Sequence, residues 1–319
     1  MINLWTTNDW EPLEAIVVGT ASFARFPANC PDFREQEKTT KWKHSPLPSG
    51  EFSQATLVQA ENSLDKMCQF LKEIGVEVYR PLDLNFNLFD GMYNYCPRDR
   101  VLIIEDVAIV PNMMFPSRNP EVFALEKYIG YDYIECYDPL IKFDAANVCR
   151  VNEKLLYLVS DSGSKAGAFW LQETVDKLYN EGRLQKKYEV VSLNEIYGGV
   201  HIDSTITTLR EGLVILNKDR ISRKQVPDVF KNWDIIWLGM DDMPFKTFHQ
   251  YPYASEYIGM NILSVNPNTI IADIQGDEKL KNIFDKHEIL VCDLDFPHSR
   301  TLGGGPHCTT LDLRRAKLL

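Results

Sequence analysis

The sequence predicts a mixed α/β fold, and three observations point to it. Short apolar runs of strand length recur along the whole chain. Several come in pairs separated by two or three turn residues, and amphipathic helices lie between them. Such frequent hairpins fit poorly with an all-parallel, doubly wound sheet. No sequence repeat is visible, but a strand pair, helix, strand unit recurs at the level of elements.

The elements follow in order. Ala15–Gly19 reads as a strand, and the polar, proline-bearing stretch Phe26–Gly50 as a long surface excursion. From Ser53 onward, Leu57, Ala60, Leu64, Met67, Leu71 and Ile74 recur at helical spacing, with Ser53 as cap and Gly75 as stop. Val76–Tyr79 is the next strand. Val101–Ile104 and Val107–Val110 flank Glu105-Asp106 as a tight hairpin, and Pro120–Tyr131 reads as a short helix. Leu155–Val159 is extended and Ser164–Asn180 helical. Ile206–Leu209 and Leu213–Leu216 flank Arg210-Glu211-Gly212 as a second hairpin.

Composition narrows the function. The chain has 319 residues, 34 basic against 45 acidic, for a net charge of −11, and 45% are hydrophobic. That balance excludes disorder and coiled coil, and the acidity argues against nucleic acid as a partner. No stretch approaches the roughly 20 apolar residues that span a bilayer, and Met1–Asn8 carries no basic residue, so a cytoplasmic protein with no membrane partner is expected. The seven cysteines are widely spread, without a C-x-x-C pair, which is neither a disulfide framework nor a zinc site. No Gly-x-Gly-x-x-Gly or Walker-type motif supports nucleotide binding. Length alone suggests about two domains.

Three segments stand out. His201-Ile202-Asp203-Ser204-Thr205 enters the second hairpin, and on a strand His201 and Asp203 would face the same way. Its plain reading is a surface strand. Gly303-Gly304-Gly305-Pro306-His307-Cys308 sets a cysteine just beyond a loop able to approach a ligand closely, where it would be exposed and reactive. The plain alternative is a turn before a buried cysteine. Phe143-Asp144-Ala145-Ala146 frames a carboxylate, otherwise a turn or cap aspartate. Together they fit one chemistry. A histidine lowers a thiol's pKa and moves its proton, and a carboxylate orients the histidine. Further carboxylates would hinder a thiolate unless the substrate is a cation that neutralises them. Guanidinium is planar, permanently charged and bound bidentately by carboxylates. A cysteine protease, whose transition state is anionic, is disfavoured by the extra aspartates.

On these residues the chain resembles the glycine/inosamine-phosphate amidinotransferase family of the guanidine-modifying superfamily. The similarity runs through Asn8-Asp9-Trp10-Glu11-Pro12-Leu13, Cys96-Pro97-Arg98-Asp99, Phe143-Asp144-Ala145-Ala146, His201-Ile202-Asp203, Asn217-Lys218-Asp219-Arg220, the Gly303–Cys308 motif and Arg314-Arg315. The resemblance implies one domain over residues 1–319. Its fold would be a five-bladed α/β propeller of ββαβ modules with pseudo-fivefold symmetry and a central acidic pocket. It implies that Cys308 attacks the guanidinium carbon of L-arginine and becomes an amidino-cysteine. His201 would protonate the departing L-ornithine and then deprotonate the incoming amine, with Asp144 orienting it. Asp99 and Asp203 would clamp the guanidinium, while Arg220 and Ser255 would hold the donor's amino-acid end. Ala254 replaces a serine of the family pattern there, which removes a hydrogen bond of about 1 kcal/mol.

Gly198-Gly199-Val200 stands where the mitochondrial glycine enzyme has a bulkier run, so an open, mobile lip and a longer or bulkier amine than glycine are expected. Two alternatives stay open: a hydrolase of the arginine deiminase or dihydrolase kind, with water as acceptor, and a non-catalytic binding protein. No metal or organic cofactor is implied, and a homodimer is left open. His307 reads as structural. His44, His249, His287 and His298 read as surface or core residues, and Met113-Met114 and Tyr251/Tyr253 as packing or pocket wall.

Overall fold

The computed structural model describes residues 2–39, 49–244 and 253–317. His44, His249 and Tyr251 lie outside them. Among the described residues five three-stranded sheets carry the fold, beside one two-stranded ribbon. In each sheet an antiparallel pair is extended by a third strand parallel to its centre, as a strand pair followed by a crossover requires.

The first sheet joins early and late segments of the sequence. Leu13–Val18 lies at its centre, with Thr310–Arg315 antiparallel on one side and Glu77–Tyr79 parallel on the other. Next come Leu102–Ile104, Val107–Val110 and Ile134–Glu135, then Val148–Val151, Lys154–Leu158 and Glu189–Leu193. The fourth is Ile206–Arg210, Leu213–Asn217 and Asp234–Leu238, and the fifth Leu263–Asn266, Thr269–Ala272 and Leu290–Asp293.

The anticipated hairpins form. Glu105 takes the left-handed conformation that the first turn needs, φ 51°, and Gly212 does so in the second, φ 81°. The helix Gln54–Glu73 begins at Ser53, whose hydroxyl accepts the Thr56 N–H, and ends before Gly75 at φ 89°. Lys165–Asn180 is likewise capped by Ser164. Two expectations fail. The helix expected over Pro120–Tyr131 is instead a 3-10 stretch, Pro116–Ala124, followed by a single α-turn, Glu126–Ile129. Pro120 lies inside the stretch and lacks the N–H that an α ladder running on from Pro116 needs. The ββαβ module also fails in the fourth sheet, whose crossover consists of the 3-10 turns Arg223–Gln225 and Asp228–Phe230. The Phe26–Gly50 excursion is anchored rather than superficial. Its ends pair as Arg25–Phe26 with Gly50–Glu51, and Phe33 is buried against Phe26, Phe115 and Tyr253.

Strand alternation distributes the core. Ile16 and Val18 of the first sheet pack with Leu263 and Ile271 of the fifth, while Ala15 and Val17 pack with Ile103 and Val110 of the second. Val107 and Ile109 meet Leu155 and Tyr157 of the third sheet, whose Leu156 and Leu158 meet Val214 and Leu216 of the fourth. Leu213 and Ile215 then meet Ile270 and Ala272 of the fifth. Each central strand is thus buried on both faces, which accounts for its uninterrupted apolar sequence. No described helix is long and apolar enough to cross a membrane.

Candidate active site

Every sheet is preceded by a loop that delivers a polar residue to one cavity or, for Asn261, to the Cys308 sulfur beside it. Asp99 stands three residues before Leu102–Ile104, Asp144 four before Val148–Val151, and Asp203 three before Ile206–Arg210. Asn261 stands two before Leu263–Asn266, and Cys308 two before Thr310–Arg315. The cavity, of about 170 Å³, is lined by Asp99, Asp144, His201, Asp203 and Cys308 together, with Ser204, Ala254 and Ser255 at one part of its wall.

His201 and Asp203 do share a direction, but not through strand alternation. Residues 201–205 form a turn in which His201 has φ 39°, and the strand starts only at Ile206. Cys308 is only 2% exposed, which corrects the expectation of an exposed thiol; it is reached through the cavity. The preceding glycines serve close packing. A Cβ on Gly304 would lie 2.5 Å from Cys96 Sγ and 2.8 Å from Cys308 Cβ. One on Gly303, at φ 87°, would lie 2.8 Å from the Tyr253 ring.

Cys308 Sγ lies 2.9 Å from Asp203 Oδ2 and 2.9 Å from Asn261 Nδ2. Asp203 Oδ2 also accepts from Asn261 Nδ2 at 2.7 Å and meets His307 Nδ1 at 3.1 Å. His201 sits between two carboxylates, with Nε2 3.0 Å from Asp144 Oδ2 and Nδ1 3.6 Å from Asp99 Oδ1. The other oxygen of Asp144 accepts the Met114 N–H, and Asp99 Oδ2 accepts from Arg118 at 2.8 Å. Asp99 Oδ1 is buried and has no hydrogen-bond partner among the described residues. An acceptor left in that state costs free energy unless a donor arrives.

The electrostatics oppose a free thiolate. The bond to Cys96, burial and the Asp203 charge all push the Cys308 thiol well above the usual cysteine range. Burial opposes charge on His201, but Asp99 and the bond to Asp144 outweigh it and hold the imidazole protonated well above the usual histidine range. Burial raises Asp99 against the pull of His201 and Arg118, whereas His307 holds Asp203 low despite its burial. Burial also lifts Glu121, which shares Arg118 with Asp99, to about 7. A site with a protonated imidazole, a protonated thiol and several carboxylates is arranged to receive a cation. Asp99, His201 and Cys308 also offer donor atoms within 4.8 Å of one another, so a thiophilic metal ion is the other cation they could hold.

Arg220 and Ser255 meet. The guanidinium donates to Ser255 Oγ at 3.0 Å and to Ser204 Oγ at 2.7 Å, and lies 3.5 Å from the Tyr197 ring centroid. The Gly198-Gly199 lip is tied down, since both carbonyls accept the Asp161 N–H, at 3.2 and 3.0 Å. Met113 is packing, Met114 supports Asp144 through its backbone, and Tyr253 is pocket wall. His298 is buried against Gln59, and His287 caps the helix Glu278–Lys286. Sequence reasoning missed Arg118 and Asn261 and treated His307 as merely structural; no motif marks the first two.

Comparison with known proteins decides the family. No family model matches the sequence. The inosamine-phosphate amidinotransferase 1 of Streptomyces glaucescens is 34% identical over 97% of this chain and 95% of its own length. The chain belongs to the amidinotransferase family. The solved inosamine-phosphate amidinotransferase of Streptomyces griseus superposes on it with a TM-score of 0.88 at 32% identity, covering 99% of this chain and 98% of that one. The L-arginine:L-lysine amidinotransferase of Pseudomonas savastanoi pv. phaseolicola is 25% identical over 96% of this amidinotransferase and 93% of its own length. The mixed α/β fold of this amidinotransferase therefore matches that of solved relatives.

Proposed function

We propose that this amidinotransferase moves the amidino group of L-arginine to a primary amine other than glycine, through a covalent intermediate on Cys308, releasing L-ornithine. The observation that carries the reading is the unpartnered Asp99 Oδ1, set beside a protonated His201 and a thiol held against Asp203. A guanidinium supplies the N–H donor that Asp99 Oδ1 lacks, and its charge offsets the carboxylates that suppress the thiolate.

The thiol then releases its proton to water, and the thiolate attacks the guanidinium carbon. As the C–N bond to the donor breaks, His201 gives its proton to the leaving nitrogen, and ornithine departs. The S–C bond remains in the amidino-cysteine. Neutral His201 takes a proton from the incoming amine, whose nitrogen displaces the thiolate. Asp144 fixes the imidazole for both transfers, and Arg220 with Ser255 receives the donor's carboxylate.

The acceptor reading rests on the remaining walls. Phe33, Tyr93, Phe115 and Tyr253 present an aromatic surface to the cavity. Among the described lining residues Arg118 is the one guanidinium, and Asp99, Glu121 and the Tyr93 ring already engage it. Such walls suit a long or bulky amine better than a short, carboxylate-bearing one. We also read the five sheets as blades of one closed propeller spanning residues 1–319, supported by apolar cores that join neighbouring sheets in cyclic order.

Incubation of the purified protein with arginine and a panel of amines tests the proposal. Ornithine should appear fastest with a non-glycine acceptor, and the protein should gain the mass of one amidino group with arginine alone. Glycine as the best acceptor would overturn the acceptor reading. Citrulline or ammonia formed without any amine would mean hydrolysis instead.

A further inference from the structure

We propose that Asn261 is a further catalytic residue, whose side-chain amide donates to the sulfur of Cys308 and simultaneously fixes Asp203 beside it. The inference rests on the proposed attack by Cys308 and assigns a role to a residue that the chemistry above does not use.

The orientation of this amide follows from its surroundings. Asn261 Oδ1 accepts two backbone N–H groups, from Cys308 at 2.9 Å and Gly305 at 3.1 Å. A carbonyl oxygen can accept both, whereas an NH2 group in its place would face two donors. The NH2 group therefore turns toward Cys308 Sγ, at 2.9 Å, and Asp203 Oδ2, at 2.7 Å. All four bonding directions of the amide are used, and the residue is 1% exposed. Gly305 accommodates it: a Cβ there would lie 3.1 Å from Asn261 Cβ.

The consequence is chemical as well as structural. An N–H aimed at sulfur favours the thiolate over the thiol, which opposes the bond to Cys96, the burial and the Asp203 charge that protect the thiol. The same donor engages Asp203, so the carboxylate's negative charge is partly spent. When a cationic substrate takes over Asp203, the N–H to sulfur remains as a fixed dipole that stabilises the attacking and the leaving thiolate. One short segment thus reaches both parts of the site: Ser255 opens the 3-10 turn Glu256–Met260 beside Arg220, and Asn261 closes it beside the nucleophile.

The test follows carboxamidomethylation of Cys308 against pH, by peptide mass, in parallel with single-turnover amidino uptake from arginine. Asn261→Leu keeps the volume and removes the donors. It should raise the alkylation midpoint by about one pH unit and slow amidino uptake on the order of 100-fold. Asn261→Asp keeps the shape and the Oδ1 acceptor but sets a charge against the sulfur, so its midpoint should rise further; a space-filling role would leave it unmoved. Asn261→Ser, with a short hydroxyl donor, covers the case in which the leucine variant does not fold, and should fall between wild type and Asn261→Asp. Folded variants that keep both the midpoint and the uptake rate within twofold of wild type would overturn the assignment. The proposed function fails separately: wild-type protein that never gains an amidino group, while the variants still shift the midpoint, would sink the guanidine reading and leave the role of Asn261 in place.

Discussion

At Asp203 one carboxylate oxygen meets a thiol, an amide and an imidazole within 3.1 Å. It therefore has two opposed effects on Cys308. Its charge suppresses the thiolate, yet in the proposed reaction the same charge draws in a guanidinium. Asp203→Asn separates these effects. Alkylation of Cys308 in the free protein at pH 7 should become about tenfold faster, as the thiol titrates lower. Arginine turnover should fall on the order of 100-fold or more, with loss of a charge-matched contact in the transition state. Parallel changes in the two rates would contradict this account. Asp144→Asn removes a partner that stabilises imidazolium, so the histidine should titrate lower. In the proposed mechanism His201 acts first as an acid, so the high-pH limb of amidino uptake should shift downward in that variant, as a stopped-flow pH profile would reveal. Cys308→Ser should abolish adduct formation altogether. Most of these side chains were legible in the sequence, because a cysteine, a histidine and several aspartates in ordered motifs fit few chemistries. Asn261 was not. An asparagine has no distinctive spacing, and its meaning comes only from two N–H groups more than forty residues away in the chain.

Hairpins and capped helices declared themselves through turn residues and apolar period, so most elements were legible too. What could not be read was irregular backbone. The turn at His201 copies the facing that a strand would give, and the proline-bearing 3-10 stretch Pro116–Ala124 places Arg118 against Asp99 without any helical signature. Two substitutions probe this scale. Ser53→Ala deletes the cap of Gln54–Glu73 and should cost about 1 kcal/mol, seen as a lower unfolding midpoint in denaturant with the m-value unchanged. Gly304→Ala should leave the protein folded but force Cys96 or Cys308 aside, slowing amidino uptake by about tenfold or more. Wild-type uptake in that variant would mean the loop has slack that its contacts do not suggest.

Across the molecule, a buried ion network ties distant loops together. Asp312 bonds Arg98 at 2.5 Å, Arg150 at 3.0 Å and Arg315 at 2.8 Å, and Arg98 also holds the carbonyl of His307 beside Cys308. Burial alone would raise Asp312, but Arg315, Arg98 and Arg150 hold it well below the carboxylate range. Its folded pKa is depressed, so its stabilisation is complete above the unfolded value of about 3.9 and is lost as pH falls toward the folded one. Asp312→Asn takes the paired carboxylate from buried Arg98 and Arg315 and one of two from Arg150, which keeps Asp9, and should cost about 3–5 kcal/mol at neutral pH, a difference that narrows in acid. Urea titrations of both proteins at pH 7 and pH 3 would measure it.

The pairing of Thr310–Arg315 with Leu13–Val18 carries a consequence for biosynthesis. Ribosomes make the aspartates and the histidine first and Cys308, the proposed nucleophile, after them, on the segment that must return to Leu13–Val18. A growing chain can therefore gather its acidic cradle long before it holds anything reactive. On the proposed mechanism competence arrives in one step, when that late strand docks, and a chain interrupted before it would lack the thiol on which the transfer depends.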